Sequence, residues 1–442
     1  MKSFSLFLCM ATSLAVHHQA QARHDDVRPL WTEKDLECPA VSATDRYIDV
    51  PTFHDLGKVA HIERIPGLKV HKEMQDSYAD KKLRIYYELF RPWDSNKELL
   101  ILIPGGPGET HATFHVLVTD QPEFLERFNV IAMDHRGVGC SRPLFPGNEP
   151  DEALLMRQAA SDIDLIRREL VGASGSINVW GYSYGSILAQ TYALLYPEHL
   201  DRLFLGGSVS SFNDWHLAGL QYESLVFSAV KDEAREEFEA LTKESPEIRE
   251  QFLVWAFTSL YSYWGRVKEI PGKLETVVRL LRSGQKAAIA KELKPEDWVL
   301  PWMMRSISCT ELFPYEAKYP GEFPMFKPIL ESCREFQEKH EYFNYTPLLK
   351  QIDRPTLIFG GNFDHVTPAP AMLRIAQEIS GSFIFIDPYM GHSFRGKREC
   401  LSKLMLEFFS GASNEKLEEV AYSGLCQRAP PSEEPQEESN KK

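Results

Sequence analysis

Gly181-Tyr182-Ser183-Tyr184-Gly185 constrains this chain more than any other stretch, because of what flanks it. Ile177-Asn178-Val179-Trp180 reads as a short buried strand, and Ser186 to Leu195 as a helix with Pro197 soon after its end. A chain passing from strand to helix within five residues must turn sharply. Side chains at Gly181 and Gly185 would collide with the neighbouring strand and helix, so both ends of the turn need glycine. The serine between them sits on strained backbone, its hydroxyl lifted clear of the sheet beside the positive end of the helix. Ser183 is therefore the candidate nucleophile.

A serine nucleophile needs a base, and the base needs an acid to orient it. The apolar strand Pro355 to Gly360 runs into Gly361-Asn362-Phe363-Asp364-His365-Val366-Thr367-Pro368, which places the carboxylate of Asp364 in the loop directly after a strand. The next strand, Ser382 to Asp387, leads to Pro388-Tyr389-Met390-Gly391-His392-Ser393, where His392 follows a glycine at the strand end. We assign Asp364 as the acid and His392 as the base; Asp387 and His365 are the alternatives. The other histidines, His54, His61, His111 and His115 among them, hold no such place. Two N–H donors are needed for the oxyanion. Tyr184, next to the serine, supplies one, and the loop Pro104-Gly105-Gly106-Pro107-Gly108 after the strand Leu99 to Ile103 supplies the other, from Gly106 with Gly105 as second choice.

Strand and helix patterns alternate through Leu99–Ile103, Phe128–Met133, a helix from Asp151 to Val171, the serine turn and Leu203–Leu205, which predicts a doubly wound, mostly parallel sheet. From Ser208 to about Asn344 the pattern changes to helices rich in charge and aromatics, such as Tyr222 to Lys243 and Ile248 to Arg266. The expected organisation is a signal peptide over 1–22, a core in two parts over 23–207 and 346–428, a helical cap over 208–345, and a disordered acidic tail over 429–442. Trp215, Trp255, Trp264, Trp298 and Trp302 read as cap core rather than a substrate pocket, and the acidic run Asp232 to Glu237 as a solvated helix face. Glu223 and Glu311 are further carboxylates that could hold a substrate's positive charge.

Together these motifs resemble the prolyl-aminopeptidase-like serine peptidases of the α/β-hydrolase superfamily. That family carries His-Gly-Gly-Pro-Gly, then Asp-Gln-Arg-Gly-x-Gly-x-Ser, then Gly-Gly-Ser-Trp-Gly, then Gly-x-x-Asp-x-x-Thr-Pro. Here Pro104 to Gly108, Asp134-His135-Arg136-Gly137-Val138-Gly139-Cys140-Ser141, the serine turn and Gly361 to Pro368 follow in the same order. The resemblance implies an α/β-hydrolase fold with an inserted helical cap. It also implies removal of N-terminal residues, proline or another single residue or a short peptide, through an acyl-enzyme on Ser183 and with no cofactor. Pro104, Tyr182 and Tyr184 depart from the family pattern, and Trp255-Ala256-Phe257 lacks the acid of the family's Trp-Glu-Gly. A carboxylesterase using the same triad is the alternative.

Met1-Lys2, the apolar run Phe4 to Val16 and Ala20-Gln21-Ala22 form a secretory signal with cleavage expected after Ala22, too short for a membrane anchor, so we expect a periplasmic or secreted protein. Six cysteines then remain, and we expect the pairs Cys309–Cys333 and Cys400–Cys426. No cysteine or histidine cluster suggests a metal. Within the Asp134 to Ser141 turn, Arg136 and Asp134 are available to each other as an ion pair. A net charge of −14 excludes nucleic acid as partner and is compatible with peptides bearing a free N-terminus.

Overall fold

Alternation along the central strands decides the architecture. Leu99, Ile101 and Ile103 join one buried cluster, with Ile163, Leu188 and Ile375. Leu100 and Leu102 join another, with Trp180, Phe204, Leu404 and Phe408. Successive side chains of a strand leave opposite faces, so a run that is apolar throughout needs helices on both sides. The structure, a computed structural model, describes residues 38–59, 61–65, 72–119, 121–141, 151–211, 213–260, 269–293, 307–312, 333, 344–394 and 397–427. The expected signal segment and acidic tail lie outside these residues, as do Trp264, Trp298 and Trp302.

Eight strands form one sheet: β1 (Asp45–Pro51), β2 (Lys82–Leu89), β3 (Glu98–Ile103), β4 (Phe128–Met133), β5 (Ile177–Tyr182), β6 (Leu200–Gly206), β7 (Thr356–Gly361) and β8 (Phe383–Asp387). Their order is β1-β2-β4-β3-β5-β6-β7-β8. The β1–β2 and β2–β4 pairs are antiparallel and all the others parallel. The main helices of the sheet layers are α1 (Met156–Val171) and α2 (Tyr184–Leu195). Between β6 and β7 come α3 (Asp214–Ser228), α4 (Asp232–Thr242), α5 (Pro246–Leu260), α6 (Glu269–Arg282) and α7 (Lys286–Glu292). After β7 follow α8 (Ala369–Glu378), α9 (Arg398–Phe409) and α10 (Asn414–Ala421).

The single helix expected over Tyr222 to Lys243 is two. α3 ends at Ser228, and α4 starts at Asp232 with Asp232 and Glu233 in its first turn, where acidic side chains favour the positive end of a new helix. Trp255 is buried against Phe252, with the Lys273 ammonium over its ring at 5.0 Å, a packing role. The ends of the inserted segment meet. Ser211 and Asn344 form an antiparallel bridge, and the Tyr345 N–H donates to the Ser210 carbonyl at 2.7 Å. The carboxylate of Asp214, at the start of α3, accepts the N–H groups of Ser210 (2.7 Å) and Ser211 (3.0 Å) and pairs with Arg374 at 2.8 Å.

Disulfides join Cys309 to Cys333 and Cys400 to Cys426, as expected, and Cys38 to Cys140 across 102 positions. A loop of that length gains about 4.7 kcal/mol from a cross-link in the chain-entropy account. Three disulfides are the habit of proteins in oxidising compartments. Among the described residues, no helix is long and apolar enough to cross a membrane.

Arg136 does not pair with Asp134. Its guanidinium turns the other way, to Asp162 (Nη2 to Oδ1, 2.8 Å) and to the carbonyls of Thr52 (2.7 Å) and Ala153 (2.8 Å). Asp162 also takes His54 Nε2 at 2.7 Å. The group is buried and ties the chain before β2 to the start of α1. Removing one member of such a pair strands the other charge, at about 3–5 kcal/mol. We therefore expect Arg136→Met to lower the unfolding free energy by about that amount in urea titrations. A loss under about 1 kcal/mol would show that His54 alone satisfies Asp162.

Candidate active site

Ser183 is, among the described residues, the one non-glycine with positive φ (55°). Such backbone costs about 1–3 kcal/mol and persists only where its surroundings enforce it. Here the Ser183 N–H donates to the Gly206 carbonyl of β6 at 2.8 Å, and its own carbonyl accepts the Ser186 hydroxyl at 2.6 Å. The two glycines are obligatory for measurable reasons. A Cβ on Gly181 would stand 2.1 Å from the Gly185 carbonyl oxygen, and one on Gly185 would stand 2.2 Å from that of Ile103. The close approach that Gly185 permits presses α2 against the end of β3 and the glycine loop beyond it.

The structure brings Ser183, His392 and Asp364 into one hydrogen-bonded line. His392 Nε2 is 3.0 Å from Ser183 Oγ, and Nδ1 is 2.8 Å from Asp364 Oδ2. All three are buried. Asp364 is held by the N–H groups of Val366 (2.9 Å) and Thr367 (2.7 Å) and by the Thr367 hydroxyl at 2.6 Å. Burial pushes its carboxyl up, but the charge and hydrogen bond of His392 and the bonds from Thr367 outweigh this and hold it below the usual carboxylate range. An anionic Asp364 fixes the proton on Nδ1 and leaves the Nε2 lone pair facing the serine hydroxyl. The alternatives are engaged elsewhere: Asp387 takes Lys397 at 2.9 Å and the Tyr389 N–H at 2.8 Å, and His365 packs beside Tyr222 with ring centroids 5.5 Å apart.

The glycine loop lies against Ser183. A Cβ on Gly105 would stand 3.1 Å from Ser183 Cβ. Gly106 has φ 111°, open in practice only to glycine. Tyr184 opens α2, and first-turn N–H groups have no acceptor within their own helix. His135 braces the loop from behind: its Nε2 donates to the Pro104 carbonyl at 2.9 Å, and its ring meets that of Tyr184 edge-on at 5.3 Å. Burial outweighs the Pro104 and Asp134 interactions and lowers its pKa, so the ring stays neutral.

Glu223 is not part of this arrangement. It is ion-paired with Arg249 on the outside of the inserted helices and lines a surface hollow with Phe227, Asp232 and Arg235. Glu311 is buried and accepts the Met156 N–H at the start of α1 at 2.7 Å, and its charge acts on Tyr184.

Sequence reasoning passed over Glu109. Its side chain is 5% exposed, and Oε2 has no hydrogen-bond partner. That oxygen is 3.0 Å from the point where a Gly105 Cβ would stand, the same point that lies 3.1 Å from Ser183 Cβ, so the two are at most about 6 Å apart. Burial pushes the carboxyl up to about 8, against the opposing pull of the Gly105 backbone and the Thr113 hydroxyl. In sequence Glu109 looks like an ordinary polar loop residue. Its one signal is its place after a glycine run that must fold against a serine turn.

Residues 98–246 match the family described as the α/β hydrolase fold. With the sheet order, the strained serine turn and the helices inserted after β6, this makes the chain an α/β hydrolase in fold. Its curated relatives carry the names that the motifs suggested. A proline iminopeptidase of Saccharolobus solfataricus is 30% identical over 129 residues, 29% of this chain and 39% of that protein. The proline iminopeptidase PfmaB of Pestalotiopsis fici is 23% identical over 268 residues, 61% of this chain and 76% of that one. A tripeptidyl aminopeptidase of Streptomyces lividans is 26% identical over 178 residues, 30% of this chain and 33% of its own length. In the first and third of these, the chain spans well under half the length of the relative it matches.

The position of Glu109 gives a pH expectation. Below about pH 8 its carboxyl is neutral; above, it ionises and sets a negative charge close to where an anion would form on Ser183. Labelling of Ser183 by a fluorophosphonate should therefore slow as pH rises past about 8, and Glu109→Gln should remove that alkaline fall. An alkaline fall retained in Glu109→Gln would assign it to another group.

Proposed function

We propose that this protein is an exported serine aminopeptidase acting on peptides with a free N-terminus. The observation that carries the reading is the line Asp364–His392–Ser183 on a strained turn, supported by relatives named as aminopeptidases. His392, oriented by Asp364, takes the proton of Ser183 as the hydroxyl attacks the peptide carbonyl. The N–H groups of Tyr184 and Gly106, with Gly105 beside them, receive the oxyanion. His392 then protonates the leaving amine, and water attacking the acyl-enzyme through the same base releases the N-terminal piece and restores the serine. No cofactor takes part in these steps.

In this reading residues 23–207 and 346–428 form the catalytic core and 208–345 the cap, which screens the serine from folded proteins. Of the two candidate carboxylates Glu223 is held by Arg249 at the surface, so this reading keeps Glu311, which is buried and accepts the Met156 N–H, for the substrate's ammonium group. The three disulfides support export after removal of residues 1–22.

The test is hydrolysis of arylamides of proline, alanine and a tripeptide, each with a free and a blocked N-terminus, beside a short-chain nitrophenyl ester. Cleavage confined to free-N-terminal amides is expected. Ser183→Ala should lose about 10⁶-fold in kcat, and Glu311→Gln should raise KM for free but not blocked substrates. Ester cleavage without amide cleavage would replace the reading by a carboxylesterase. Turnover by Ser183→Ala near the wild-type rate would overturn the serine mechanism itself.

A further inference from the structure

On the far side of the glycine loop, a second cluster combines metal-ligand chemistry with fixed geometry. His111 opens a 3-10 turn (His111–Phe114), and His115 opens the short helix His115–Thr119 that continues it, so the two rings stand one helical turn apart. Glu88 of β2 faces both: its Oε2 is 2.6 Å from His115 Nε2 and 3.9 Å from His111 Nε2. One donor atom from each of the three lies within 4.8 Å of the other two. The His111 ring is not free to turn. Asp134 Oδ1 accepts its backbone N–H at 2.7 Å and its Nδ1–H at 2.8 Å, while Asp134 Oδ2 accepts the Cys140 N–H at 2.8 Å. The Tyr86 ring packs on His111 with centroids 4.7 Å apart, and Phe90 on His115 at 5.3 Å. With Nδ1 held by Asp134, Nε2 is the ring atom that faces Glu88.

We propose that Glu88, His111 and His115 form a binding site for one divalent transition-metal ion of the zinc class, with Asp134 as the positioning residue for His111. Two imidazoles and a carboxylate suit zinc, cobalt or nickel better than magnesium or calcium. A carboxylate on the far nitrogen of a ligating histidine is the arrangement that fixes its tautomer and raises its basicity. Bonds of about 2.0–2.1 Å in a tetrahedral site put donor atoms roughly 3.3–3.5 Å apart. The two separations from Glu88, 2.6 and 3.9 Å, lie on either side of that value and need to change by less than about 1 Å, and the two histidine donors, within 4.8 Å of each other, by no more than about 1.5 Å. The proton now shared by Glu88 and His115 would leave as the metal enters. The His115 side chain is 45% exposed, so solvent reaches this side of the cluster. The sequence did not reveal the cluster because Glu88 belongs to a strand and only the fold brings it to the histidines.

Such an ion has a mechanical role. His111 and His115 continue the segment that carries Gly105, Gly106 and Glu109, while Glu88 belongs to the sheet. Binding would clamp the glycine loop to β2 without touching the reacting groups.

The experiment uses tag-free protein stripped with EDTA and titrated with Co²⁺, followed by its visible ligand-field absorption, and with Zn²⁺, followed by calorimetry and thermal unfolding. One equivalent should bind, with a rise in Tm. His115→Ala and Glu88→Gln should each weaken binding by at least ~10-fold and abolish the rise. His115 is half exposed, so its variant should keep the wild-type circular dichroism and metal-free Tm, and the comparison remains valid if Glu88→Gln folds poorly. Absence of saturable binding up to about 1 mM metal, or binding undiminished in His115→Ala, would overturn the proposal.

Discussion

The approach of α2 to the end of β3 is the contact on which the candidate site depends. It is set by backbone against backbone: Gly185 has no side chain, and the carbonyls of Ile103 and Pro104 occupy the space a Cβ would need. No repacking of flexible side chains could relieve a residue placed there. Because the helix sits so close, the glycine loop touches the serine, and the positive φ of Ser183 is the geometry left to the turn. The strain is thus a result of packing on both sides. It is borne by the bonds to Gly206 and Ser186 and by the apolar faces of β3, β5 and α2.

Much of this was legible in the sequence because it is local. Strands such as Leu99–Ile103, apolar throughout and ending at Pro104, show their type and ends directly. The loops holding Asp364 and His392 were legible because each directly follows a buried strand. Long-range pairings were not. Arg136 lies two residues from Asp134, yet its partner Asp162 comes from α1, because the turn sends the two side chains in opposite directions. The break between α3 and α4 was missed because Ala229 and Val230 are ordinary helix residues in composition. Only the acidic start at Asp232 marks it. Glu109 and Glu223 mislead in opposite senses. Glu109 has the sequence of ordinary loop polarity and is buried beside the serine, whereas Glu223 has that of a substrate anchor and is neutralised by Arg249.

Buried charge beneath the site is organised around the Asp134 to Ser141 turn. Asp134 points to one side, holding His111 and the Cys140 N–H, and Arg136 points to the other, holding Asp162 and the carbonyls of Pro51, Thr52 and Ala153. Cys140 adds the disulfide to Cys38, and the Ser141 hydroxyl bonds the Asp134 carbonyl. His135, between the two charged residues, reaches Pro104. One short turn therefore joins the chain before β1, the glycine loop and α1. Its polar residues supply the partners that these buried backbone groups need.

The junction at Ser210, Ser211, Asn344 and Tyr345 has a consequence for how such a protein changes over time. The helical insertion leaves the sheet and returns to it at hydrogen-bonded neighbours, so the sheet experiences it as a closed loop. The entropy of closing a loop grows only slowly with its length. The helices between β6 and β7 can therefore differ in length at little cost in closure entropy, provided the contacts that hold the core, Glu311 on the Met156 N–H and Tyr222 beside His365, are kept.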